Sequence, residues 1–67
     1  MNTGIHLYDR VWVLTARFDA NGVSVGLEGY VVDEYGDGCL EIEFSNPDGS
    51  TFAQIVARRV DLQLVEE

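Results

Sequence analysis

An all-β fold is predicted by three features of the chain: alternation of acidic and apolar residues over 39–44, Gly-rich turn signals on both sides of that run, and short β-branched or aromatic runs before and after it. Within the run, Leu40, Ile42 and Phe44 share one side and Glu41 and Glu43 the other, the period of two that a half-buried strand requires. No apolar interior could accept two unpaired carboxylates. The glutamates are therefore expected to face water and the apolar side chains the core. Tyr35-Gly36-Asp37-Gly38 turns the chain before this strand. Ser45-Asn46-Pro47-Asp48-Gly49 turns it after, with Pro where φ must be fixed and Gly where it must be free.

Residues 1–6 read as a loose start. Residues 7–15 carry Val11 and Val13 on one side and Arg10, Trp12 and Leu14 on the other, enough β-branched and aromatic residues for a first strand. Both sides are partly apolar, so the parity of its core face stays open. Residues 16–25 show neither period and contain Asn21-Gly22; they are predicted to form a long loop, with Phe18, Val23 and Val25 tucked against the body. Gly26-Leu27-Glu28-Gly29 enters a second strand over 30–35, and glycines so spaced imply a close approach of backbone to backbone. The alternating run is the third strand. A fourth follows over 50–57, with Phe52, Ala53, Ile55 and Val56 predicted buried and Thr51 and Gln54 wet. Ala57-Arg58-Arg59-Val60 suits one tight helical turn, residues 61–65 a fifth short strand with Leu62 and Leu64 flanking Gln63, and Glu66-Glu67 an exposed end.

Five short strands, one long first loop, two tight hairpins and a helical turn before the last strand describe an SH3-like barrel over residues 1–67, a single domain. An OB-type barrel is the alternative, but it needs a longer chain and a helix between its third and fourth strands. With 67 residues there is room for one core and no more. Residues 1–8 are short and mixed rather than leader-like, and nothing approaches the length of a membrane span.

Twelve acidic residues stand against four arginines and no lysine, a formal net charge of −8. That balance repels nucleic acid and anionic membrane, because phosphate binding needs clustered cations. A basic protein partner fits it, and so does a merely solubilising surface. Cys39 is the single cysteine, which rules out an intrachain disulfide and a multi-Cys zinc site and favours the cytoplasm.

Leu7-Tyr8-Asp9-Arg10-Val11, then Gly26 and Gly29 ahead of Val31-Val32, then Leu40-Glu41-Ile42-Glu43-Phe44, Asp48-Gly49 and Asp61-Leu62 together resemble a family of short, acidic bacterial proteins of unknown function. The resemblance covers nearly the whole chain and implies an SH3-like barrel. It also implies, for members encoded beside a toxin-like protein, an antitoxin or immunity role. The chain departs from the family pattern at Arg10, between Asp9 and Val11, and in its longer first loop. Leu7-Tyr8-Asp9 is similar as well to the start of the eukaryotic SH3 peptide readers. The rest of that signature is missing, so recognition of proline-rich peptides is not expected.

The residues offer little for catalysis. His6, the only histidine, lies in the loose start, where a solvated role is the simpler reading. Cys39 sits among Asp37, Glu41 and Glu43, which would raise a thiol pKa and leave it protonated. The Gly26/Gly29 pair is followed by no Lys-Ser/Thr and no helix, so it is no phosphate cradle. No Asp-x-Asp-x-Asp-Gly loop with a closing Glu marks a calcium site. No enzyme activity, cofactor, metal or small-molecule substrate is expected.

What the chain does offer is a face. Asp33, Glu34, Asp37, Glu41 and Glu43 lie on or beside one hairpin, where outward side chains of facing strands come within range of one another. Trp12, Tyr30, Tyr35 and Tyr8 cannot all be buried in so small a barrel, and exposed rings beside carboxylates suit an Arg- or Lys-bearing partner. The expected partner-binding residues are thus Trp12, Tyr30, Asp33, Glu34, Tyr35, Asp37, Glu41 and Glu43. Trp12 is either an outward anchor or the largest core residue. The leading expectation is a non-enzymatic module that binds a basic protein, of antitoxin or immunity type. A structural accessory subunit of a larger enzyme is the alternative, and a methyl-lysine reader would need three or four rings converging on one pocket.

Overall fold

The computed structural model describes residues 4–66, and Met1, Asn2, Thr3 and Glu67 of the expected loose start and exposed end lie outside that range. Its elements are β1 (Arg10–Val13), a first 3-10 helix (Ala16–Asn21), β2 (Glu28–Glu34), β3 (Leu40–Ser45), β4 (Thr51–Ala57), a second 3-10 helix (Arg59–Asp61) and β5 (Leu62–Leu64). The strands are antiparallel and form one sheet in the order β4-β3-β2-β1-β5. This is the all-β, SH3-like architecture that the pattern of short strands and tight turns predicts.

β3 behaves as its alternation requires. Leu40, Ile42 and Phe44 are fully buried and pair across β4 with Ala57, Ile55 and Ala53, while Glu41 and Glu43 occupy the opposite face. The open parity of β1 resolves the same way: Val11 and Val13 are in the core, and Arg10 and Trp12 are not. Val31, Phe18, Val23 and Leu62 complete the interior. Within the strands, parity decides which apolar side chains are enclosed, and Phe18 and Val23 reach the same core from the first loop.

Several sequence expectations are corrected. Val25 is 58% exposed instead of tucked in. Ile5, placed in a loose start, is a core residue, and its carbonyl accepts from Arg59 Nη2 at 2.8 Å. Val56, predicted buried, is 51% exposed, because its partner across the ladder is Glu41 and both point outward. Phe52 is 43% exposed, although its ring lies 6.3 Å from that of Phe44. The cause is a bulge: Phe44 pairs with Ala53 but Ser45 pairs with Thr51, which leaves Phe52 as the extra residue at the rim. A second bulge sits at Val32, between Val31↔Ile42 and Asp33↔Glu41.

The first loop is also more ordered than its lack of period suggests. Thr15 caps its 3-10 helix by accepting from Arg17 N at 3.1 Å, and Gly22, at φ 81°, closes it in the left-handed region that glycine enters freely. Two backbone bonds pin the neck of this loop, Gly26 N to Val13 O at 2.8 Å and Val13 N to Leu27 O at 3.0 Å. Gly29 confirms the expected close approach. A Cβ there would lie 2.7 Å from Phe44 Cε1 and 2.9 Å from the carbonyl oxygen of Glu43.

Candidate partner-binding face

Register decides which outward side chains meet. Arg10 pairs with Tyr30, Tyr30 with Glu43, and Glu43 with Gln54, so these four stand in one row across β1, β2, β3 and β4. Asp33, Glu41 and Val56 form the next row, and Trp12 stands between Glu28 of β2 and Gln63 of β5 in another. All lie on the side of the sheet away from the core. The result is an acidic surface with exposed Tyr30, Tyr35, Val56 and Trp12 set into it; Trp12 is 39% exposed and is not a core residue.

Glu41 is the centre of this face. Its Oε1 accepts from the Tyr35 hydroxyl at 2.5 Å and its Oε2 from Gln54 Nε2 at 3.1 Å. Glu43 accepts from Thr51 Oγ1 at 2.8 Å. The hydrogen bond to Glu41, partial burial of the phenol and the nearby charges of Glu41 and Asp33 push the Tyr35 pKa up to about 12. A phenol that donates to a carboxylate resists losing its proton. The contribution of this bond is therefore fully present below the ordinary tyrosine pKa near 10 and is lost as pH rises through about 12. In an ultraviolet titration, Tyr35→Phe is expected to remove the latest tyrosinate step, and Glu41→Gln to bring that step to lower pH. An unchanged profile in Glu41→Gln would refute the pairing.

Two of the expected residues stand apart. Glu34 pairs with the inward-facing Leu40 beyond the bulge, and its Oε2 accepts from Leu7 N at 2.7 Å, with His6 Nδ1 at 3.8 Å. It fastens the N-terminal segment rather than joining Glu41 and Glu43. Asp37 sits in the β2–β3 turn and accepts from Cys39 N at 3.0 Å, a bond that lowers its pKa. Asp33, Tyr30, Tyr35, Glu41 and Glu43 are brought together as expected, with Trp12 farther along the same side.

The pattern of residues missed Arg10, Glu28, Gln54 and Val56. Arg10 Nε lies 2.8 Å from Glu28 Oε2, so a cation sits at the border of the acidic surface. Only register, which single-strand periodicity does not contain, brings these residues to the face. Cys39 is a half-buried free thiol whose pKa is raised by its burial and by Asp37, in keeping with an unreactive side chain. On another part of the molecule, an open cleft runs between Ile5, Arg59, Val60, Leu62 and Leu64. Its guanidinium is already occupied, with Arg59 donating to the carbonyls of Gly38 and Ile5. Among the described residues no group of three or more His, Cys, Asp and Glu side chains is placed to hold a metal ion, and no helix is long and apolar enough to cross a membrane.

Fold and surface together define a small all-β, SH3-like module with an acidic, ring-bearing outer face. Residues 7–64 match the model of the domain of unknown function DUF4926, and the chain belongs to that family. No curated protein and no solved structure matches the chain.

Proposed function

We propose that this protein is a non-enzymatic binding module that docks a basic partner protein on its acidic outer face, in the manner of a bacterial antitoxin or immunity protein acting in the cytoplasm. The observation that carries the proposal is the juxtaposition of Tyr30, Asp33, Tyr35, Glu41 and Glu43 on one surface opposite a filled core. Rings beside carboxylates suit Arg and Lys side chains, which stack on the one and pair with the other. A net charge of −8 would speed encounter with a cationic surface, and the rings would slow release.

Co-expressed with the product of the adjacent gene, the protein should purify as a complex that dissociates with added salt. Reversing Glu41 and Glu43 together to Lys should weaken that complex by about a hundredfold or more, since like charges across an interface cost several kcal/mol, with the circular-dichroism spectrum unchanged. Absence of a complex at low ionic strength would count heavily against the proposal. If the reversal abolishes assembly of a larger enzyme and leaves protection from a toxin intact, the protein is an accessory subunit.

A further inference from the structure

Resting on that reading, we propose how the partner docks: it adds a β-strand, with Lys or Arg at alternate positions, to the open edge of β4. The sheet ends at β4, which is hydrogen-bonded to β3 on one side. Among the described residues no backbone hydrogen bond reaches its other side, although the first 3-10 helix approaches it. An edge strand leaves alternate N–H and C=O groups without a ladder partner and so offers a template for another strand. Natural proteins blunt such edges with charges, proline or bulges. Thr51–Ala57 carries no charge and no proline, and its bulge at Phe52 lies near the start of the strand, leaving Ala53–Ala57 in regular register with β3.

Charge selects the occupant. Glu43 is bound by Thr51 of β4, and Glu41 is held between Tyr35 on the β2 side and Gln54 of β4, so the Glu43 carboxylate and one oxygen of Glu41 are turned towards the open edge. A strand added there lies about 4.8 Å beyond β4. Its outward side chains stand beside Gln54 and Val56, and a long cationic side chain reaching across them meets Glu43 and Glu41. Inward positions of that strand would adjoin the rim at Phe52. A second copy of this chain is a poor occupant, because it would bring a further charge of −8 to the same edge.

The probe is a short synthetic peptide alternating lysine and threonine, titrated into the full chain at low ionic strength and followed by amide NMR. Binding is expected to slow solvent exchange at alternate amides of β4. Glu41→Gln and Glu43→Gln should each weaken affinity by up to about fivefold. A version of the peptide N-methylated on alternate backbone nitrogens should bind about tenfold more weakly. If the peptide binds in a charge-dependent way but no β4 amide gains protection and the N-methylated version binds equally well, edge docking is wrong while the acidic-face reading stands. Protected β4 amides in the free protein, together with a dimer in sedimentation, would assign the edge to a second copy and overturn the inference. Failure of the peptide to bind would overturn it too, leaving the co-purified complex to judge the broader reading.

Discussion

Gly29→Ala is expected to lower stability by about 2–3 kcal/mol, the upper part of the usual range for forcing an extra carbon into a packed interior. β-Propensity argues the other way, since replacing glycine inside an element normally gains roughly 0.5–1 kcal/mol. Sterics should win here because the added carbon meets two obstacles. The Phe44 ring, at 2.7 Å, is fully buried in the core and has little room to yield, and the Glu43 carbonyl, at 2.9 Å, belongs to the neighbouring strand and cannot move without disturbing the ladder. A domain of 67 residues holds roughly 3–10 kcal/mol in all, so the midpoint of thermal unfolding should fall by about 10–20 °C. In the background of Phe44→Leu the same change should cost less, because the ring obstacle is reduced while the carbonyl remains. Gly36→Ala is the control: a carbon there meets nothing within 4 Å, and the effect should stay within about 0.5 kcal/mol. If urea denaturation finds the Gly29 and Gly36 variants equally stable, the close approach of β2 to β3 is wrong.

Asp61→Ala is expected to cost about 2–3 kcal/mol, the penalty for stripping partners from part-buried donors. Asp61 is only 7% exposed, and its carboxylate joins two distant parts of the chain. It accepts from Arg17 Nη2 in the first loop and, at 3.0 Å, from Arg58 N at the start of the second 3-10 helix. Its own carbonyl receives Leu14 N at 2.8 Å, at the end of β1. Arg17 also lies over the Phe18 ring, 4.6 Å from its centre, so the ion pair and the buried phenylalanine hold the loop down together. The cost is asymmetric. Half of the Arg17 side chain is in water and can rehydrate, so Arg17→Ala should lose only about 1 kcal/mol. Asp61→Asn, which keeps an acceptor for Arg58 N, should fall between the two. Denaturation of the single and double variants measures the coupling directly, and amides of the first loop should exchange faster in all of them. Arg17→Ala costing more than Asp61→Ala would contradict this account.

Much of the architecture was legible in the chain because alternation is a local property. Leu40, Ile42 and Phe44 turn inward and Glu41 and Glu43 outward for a reason that needs no other strand: an apolar interior rejects unpaired carboxylates. The turn residues around β3 set its ends in the same local way, and the short helical segment before β5 follows from a run too brief for anything longer. The match to the family extends over 7–64, the span that holds all five strands.

Paired apolar residues were ambiguous. Val31-Val32, Phe52-Ala53 and Ile55-Val56 each break the alternation, and the break is a bulge in the first two but an outward side chain in the third. Which of these occurs depends on the partner strand, and nothing in the doublet itself distinguishes them. The same limit explains Glu34. Counted along β2 it belongs with the other carboxylates, yet the bulge at Val32 shifts it to pair with Leu40 and it turns to the N-terminal segment. Asp61 and Ile5 lie near the ends of the chain with no local pattern to mark them, and both are enclosed through distant partners: Asp61 takes Arg17, and Ile5 packs into the core while its carbonyl takes Arg59. Parity, turns and the sign of the charge are written in neighbouring residues, which is why they could be read in advance. The composition of the face, with Arg10, Gln54 and Val56 beside Tyr30 and the glutamates, exists only once strands distant in the chain are set in register, since hydrogen-bonded pairing and not sequence proximity chooses each side chain's neighbours.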